Sequence, residues 1–148
     1  MLRLQTAGME TQTRWPSGLA VAQVRVARPT DQLAEIERFY STVLGLPVLY
    51  RFEDHAGYTG LMVGLPGTDY HLEFTSHVDG SPCPAPTADN LLVLYFHNDA
   101  QMYDVVERLA AAGHEPVEAE NPYWGGVGAF TFEDPDGWRI VLVPTSVF

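Results

Sequence analysis

Cysteine is almost missing from this sequence: there is one, Cys83, in the stretch SPCPAP. A single cysteine closes no internal disulfide, so nothing calls for an oxidising compartment. No base or basic neighbour stands beside it, and it reads as an inert loop thiol. Positive charge is scarce as well. Eight Lys and Arg face 19 Asp and Glu, a formal net charge of −11. A chain this acidic repels phosphate backbones and anionic lipid, so neither nucleic acid nor a membrane is an expected partner. Apolar runs of transmembrane length are absent too. Residues 1–18 lack the continuous apolar stretch of a signal peptide and read as a polar leader, with Met9 an alternative start. A cytoplasmic protein is the resulting expectation.

What is present suits one folded domain. The 148 residues are 46% apolar and 18% charged, enough to bury a core and too apolar for disorder. Alternating and β-branched residues predict a strand over Leu19 to Val26, with Gln23 and Arg25 on one face. Thr30 or Asp31 can cap the helix that follows. Its stripe of Leu33, Ile36, Phe39, Tyr40 and Val43 runs to a stop at Gly45. Short strands are expected at Pro47 to Phe52, Tyr58 to Val63 and Tyr70 to Thr75. A linker rich in Pro, Ser, Gly and Asp follows over 77–89. The plan then repeats: strand Asn90 to Phe96, helix Asp99 to Ala112 stopped by Gly113, a strand at Pro116 to Ala119, a glycine-rich loop NPYWGGVG, and a hairpin around DPDG. Setting Gly60 to Thr75 over Gly128 to Val143 without gaps pairs Tyr70 with Trp138, Leu72 with Ile140, and Phe74 with Leu142. The fold class is therefore α+β, two tandem βαβββ modules (19–76 and 90–148) produced by internal duplication.

Three stretches carry a family resemblance: FYSTVLGL (Phe39 to Leu46), YHLEF (Tyr70 to Phe74) and EDPDGWRIVLV (Glu133 to Val143). With them the chain resembles the vicinal oxygen chelate superfamily, which groups glyoxalase I, bleomycin-resistance proteins and extradiol dioxygenases. The resemblance spans about residues 19–146. It implies curved mixed sheets enclosing a cleft for a small organic molecule, and a homodimer.

Metal-using members of that superfamily place four His, Gln or Glu ligands in the cleft. A divalent ion bound by oxygen and nitrogen can act there as a Lewis acid on substrate oxygens. Carried onto this sequence, the positions fall on Gln23, Glu73, Leu91 or Leu92, and Val141. Two of the four are aliphatic, so no cofactor is favoured. If a divalent metal (Ni, Zn, Fe or Mn) does bind, Gln23, His71 and Glu73 are its candidate ligands.

Three functional classes follow. One is a metal-free binding protein of the bleomycin-resistance kind. Another is a metal-dependent lyase, isomerase or dioxygenase. The last is a metal-free acid–base enzyme with Glu73 as its catalytic group. The candidate ligand-binding residues are Gln23, Arg25, Tyr50, His71, Tyr95, Tyr123, Trp124 and Arg139. A buried Glu73 needs a cationic partner, and Arg25 and Arg139 are the candidates. Arg28 reads as a solvated charge. Trp138, Ile140 and Leu142 read as packing against helices, while Arg139, Val141 and Val143 face the cleft.

Overall fold

The computed structural model describes residues 18–65 and 67–145. The leader expected over 1–18 lies outside the described residues except for Gly18.

The first module runs β1 (Val24–Pro29), α1 (Leu33–Glu37, continuing as a π-helical turn over Arg38–Val43), β2 (Val48–His55), β3 (Tyr58–Gly64) and β4 (Tyr70–His77). Its sheet has the order β1-β4-β3-β2, with β1 parallel to β4. β1 begins at Val24 rather than Leu19, because its hydrogen-bonded partner strand starts only at Tyr70, opposite Val24. The second module contains β5 (Leu91–Tyr95), α2 (Asp99–Ala111), a short α3 (Pro122–Gly126), β6 (Phe130–Glu133) and β7 (Arg139–Val143). Its sheet is β5-β7-β6, again with the first and last strands parallel. The strand expected at Pro116 to Ala119 shrinks to one bridge, Val117 to Thr131.

Local chemistry sets the helix limits. Asn98 accepts a hydrogen bond from the Gln101 amide and caps α2, and Gly113 follows it at φ +93°. The end of α1 is wider than an ordinary turn, since the Leu44 amide donates to the Phe39 carbonyl five residues back. Gly45, at φ +100°, then reverses the chain. Arg108 of α2 donates to the freed carbonyls of Val43 and Leu44, tying the end of one module's helix to the other module's helix.

Strand alternation decides which side chains meet the helices. Leu61, Val63, Leu72 and Phe74 pack with Ile36 and Phe39, and Phe132, Ile140 and Leu142 pack with Met102 and Leu109. These residues form one continuous core to which both modules contribute, with α2 touching both β7 and the π-helical turn that ends α1. The intervening residues, including Met62, His71, Glu73 and Val141, therefore point to the helix-free faces.

Candidate functional site

The register places the duplicated positions side by side. Arg25 lies beside His71 and Ala27 beside Glu73, as Leu91 lies beside Arg139 and Val93 beside Val141. Leu91, not Leu92, therefore shares a face with Val141. Module two meets the ligand positions of the resemblance with two aliphatic side chains, and Val141 is fully buried.

In module one Arg25, Met62, His71 and Glu73 form a contact group on the helix-free face. The Arg25 Nε–H donates to His71 Nε2 at 2.9 Å. Arg25 Nη2 reaches Met62 Sδ at 3.4 Å, and Nη1 stands 3.8 Å from Glu73 Oε1. The guanidinium thus sits among the three side chains that face it from β3 and β4. Imidazole nitrogen, thioether sulfur and carboxylate oxygen are all donors a metal would use. Their shared cation is instead an arginine, which carries its charge permanently. Among the described residues, no three His, Cys, Asp or Glu side chains converge closely enough to hold a metal ion. The donor set in the sequence therefore does not fit the metal of the resemblance.

Because His71 Nε2 accepts, the ring's hydrogen belongs on Nδ1. That nitrogen is buried and has no hydrogen-bond partner among the described residues, and His71 as a whole is 4% exposed. The ring lines a cavity of about 220 Å³ together with Gln23, Leu49, Gly64 and the β3–β4 turn. Tyr50 is on the same helix-free face, one strand beyond Met62, and is 59% exposed.

A second cavity of about 220 Å³ opens between the modules, where the edge strands β1 and β5 approach. Val26, Leu72, Phe74, Leu92 and Trp138 supply its apolar walls, and Glu73 and Arg139 add charge. Apolar walls with a few directed polar groups suit a small organic ligand. Of the two candidate partners for Glu73, Arg25 takes the role. Arg139 is turned to Glu133 Oε2 at 3.1 Å and the Glu118 carbonyl at 3.1 Å. Tyr95, Tyr123 and Trp124 line neither cavity. Tyr95 ends β5, while Tyr123 and Trp124 stack edge to face within α3 at 5.0 Å, a helical turn where an open loop was expected.

Arg28 is not the solvated charge expected from its sequence setting. Its side chain is 12% exposed and bonds Asp134 Oδ2 at 2.6 Å and Asp136 Oδ2 at 2.8 Å, both from the DPDG turn. Its guanidinium lies between the rings of Phe74 and Trp138, 5.0 and 5.1 Å from their centroids. Trp138, read from sequence as packing on a helix, instead stacks on this arginine and donates Nε1–H to the Cys83 carbonyl. Tyr40 donates to Asp134 Oδ2 at 2.7 Å, and Thr30 and Gln32 donate to Asp136.

Burial alone would depress the Arg28 pKa, but the hydrogen bond to Asp136 and the charge of Asp134 raise it. Burial lifts Asp134 above the ordinary carboxylate value against the pull of Tyr40 and Arg28. Burial opposes ionisation of Asp136 too, yet hydrogen bonds from Arg28, Thr30 and Gln32 hold its pKa below the ordinary value. Burial, and then the charge of Asp134, push the Tyr40 phenol well above its usual range. No local signal in the sequence marks this pairing, since an acidic turn such as DPDG is ordinarily solvated.

Comparisons with known proteins place this geometry. The model of the YycE-like N-terminal domain matches residues 24–75, and that of the YycE-like C-terminal domain matches 89–144. The uncharacterized protein YycE of Bacillus subtilis is 50% identical over 127 residues, covering 86% of this chain and 91% of the relative. The crystal structure of a Bacillus subtilis YycE protein of unknown function, assigned to a glyoxalase/fosfomycin resistance type, superposes with a TM-score of 0.84 at 47% identity. That match covers 91% of this chain and 97% of the other. The trypanothione-dependent glyoxalase I of Leishmania major matches at TM-score 0.66 and 18% identity, over 85% and 88% of the two chains. TnmS3, an antibiotic binding protein of a Streptomyces species, matches at 0.59 and 22%, over 85% and 98%. The last two show the shared fold alone.

Proposed function

The chain belongs to the YycE-like family, with the fold of the glyoxalase and bleomycin-resistance proteins, and we propose that it binds a small organic molecule without a metal ion. An enzyme and an antibiotic-binding protein share this fold, so the donor set has to choose between chemistries. One observation carries the choice: the Arg25 guanidinium stands among His71, Met62 and Glu73, so a fixed cation already sits between the imidazole and the carboxylate that are the candidate ligands. The inter-module groove, with its apolar walls and the Glu73 and Arg139 charges, supports an aromatic or aliphatic ligand with a polar end.

A homodimer belongs to the same reading. Leu49 and Tyr50 on the edge strand β2 are 55% and 59% exposed, apolar surface that a second copy would cover. Among the described residues, no helix is long and apolar enough to cross a membrane.

The test combines metal analysis of the purified protein with thermal-shift screening. The panel holds α-ketoaldehydes, catechols, and cationic or aromatic antibiotics. The expected result is no stoichiometric metal, and stabilisation by a ligand without turnover. Saturation at 100 times Kd would add about 2.7 kcal/mol to stability. One equivalent of nickel, zinc, iron or manganese, lost on Glu73→Ala, would refute the metal-free reading. Turnover that disappears in Glu73→Gln would favour acid–base catalysis instead.

A further inference from the structure

We infer that Arg25 is a built-in cation that excludes divalent metals from this site, and that replacing it with a metal-binding side chain would convert the site into a metal centre. The inference rests on the metal-free reading and deepens it, because it names the residue responsible. Three observations support it.

The first is placement. Arg25 and His71 are direct neighbours in parallel strands, and Glu73 is two residues further along the same face. A side chain at position 25 therefore belongs beside the imidazole, and the carboxylate is already within 4 Å of the guanidinium. The second is occupancy of the donor atoms. His71 Nε2 is engaged by the Arg25 Nε–H, so the lone pair that a metal would need is held by a hydrogen bond. The third is charge. A fixed positive charge a few ångströms from a divalent ion repels it strongly, and the guanidinium cannot be deprotonated to yield. The counterpart position in module two, Leu91, has neither a donor nor a cation, so module two supplies no competing site there.

The sequence therefore retains two candidate ligands, the His71 imidazole and the Glu73 carboxylate, separated from metal binding by one residue. Arg25→His would remove the charge, release His71 Nε2 and add a second imidazole, giving two histidines and a glutamate. That set suits zinc or nickel, with positions left open for water. The Arg25 side chain is 46% exposed, so the exchange leaves no void in the core.

Isothermal titration with Zn²⁺ and Ni²⁺ tests this, with thermal unfolding in the presence and absence of metal as a second readout. Arg25→His should bind one equivalent at least about 100-fold more tightly than the parent protein. Its melting temperature should rise on metal addition while the parent's does not. Arg25→His combined with Glu73→Gln should lose most of the gain, and Arg25→Lys, which keeps the charge, should show none. Should Arg25→His fold poorly, Arg25→Ala carries the test. It frees His71 and Glu73 with water completing the shell, and should gain roughly 10-fold. A folded Arg25→His or Arg25→Ala that gains no affinity overturns the inference even if the parent protein is metal-free. A gain of equal size in Arg25→Lys overturns it as well, because charge would then not be the barrier. The metal-free reading fails separately, if the parent protein itself carries an equivalent of metal.

Discussion

Arg28→Met removes one cation from between two carboxylates and leaves a side chain of similar length between Phe74 and Trp138. The cost can be worked from what each acid keeps. Asp134, whose side chain is fully buried, retains Tyr40 on Oδ2 and the amides of Asp136 and Trp138 on Oδ1. Asp136 retains Thr30 and Gln32. Breaking a buried pair by removing one partner costs about 3–5 kcal/mol, because it strands the other charge. The three donors left on Asp134 place this case at the lower end, about 3 kcal/mol. With a urea dependence near 2 kcal/mol per molar, the unfolding midpoint should fall by about 1.5 M.

The charge origin of the loss is checked by a cycle with Asp134→Asn, which keeps an acceptor for the two amides but discards the charge. The double variant should be more stable than the sum of the single losses implies, by about 2 kcal/mol. A midpoint shift below about 0.5 M, or strictly additive losses, would refute the view that this ion cluster couples the modules.

Tyr40→Phe should cost about 1–2 kcal/mol in thermal unfolding, since it strips a hydrogen bond from a buried carboxylate and adds no void; no measurable change would argue against the bond. Asp136 governs the acid limb of stability. Its pKa is depressed in the fold, so its contribution is present above the ordinary value of 3.8 and is lost as pH falls through the lower folded value. Asp134, with a raised pKa, acts in the opposite sense: its contribution is present below the ordinary value and is lost as pH rises through the folded one. Asp136→Asn should therefore flatten the loss of stability below about pH 4, and parallel curves for parent and variant would count against this assignment. Gly60 lies beneath the Phe52 ring, and a Cβ there would come within 2.3 Å of it. Gly60→Ala should cost about 1–3 kcal/mol and be partly relieved by Phe52→Ala, whereas a neutral result would show the ring free to leave.

Much of the fold is legible locally. The stripe from Leu33 to Val43 and the glycine stops at Gly45 and Gly113 located α1 and α2, apart from the π-helical widening over Arg38–Val43 and the N-cap of α1, which is Gln32 rather than Thr30 or Asp31. That widening depends on how Phe39 and Tyr40 settle into the shared core, which local periodicity does not encode. Alternation in YHLEFT and RIVLV placed Leu72, Phe74, Ile140 and Leu142 on the helix side, though not Trp138, which stacks on Arg28, and the duplication set Val141 opposite Glu73. The strand expected at Pro116 to Ala119 failed because a four-residue run needs a partner of matching length, and the structure supplies one bridge.

The sequence alone determined the two-module plan, the family, and the aliphatic positions where metal-using relatives carry ligands, because these are properties of spacing and residue type. Only the tertiary structure decided which cation answers which acid. Arg25 meets His71 across 46 residues of chain, and Arg28 meets Asp134 across 106. No local pattern encodes such pairings. In the sequence Arg28 precedes a proline at a strand end, the setting of a solvated charge. Folding places the DPDG turn against it, and a residue that reads as surface becomes a largely buried ion paired with two carboxylates of the other module.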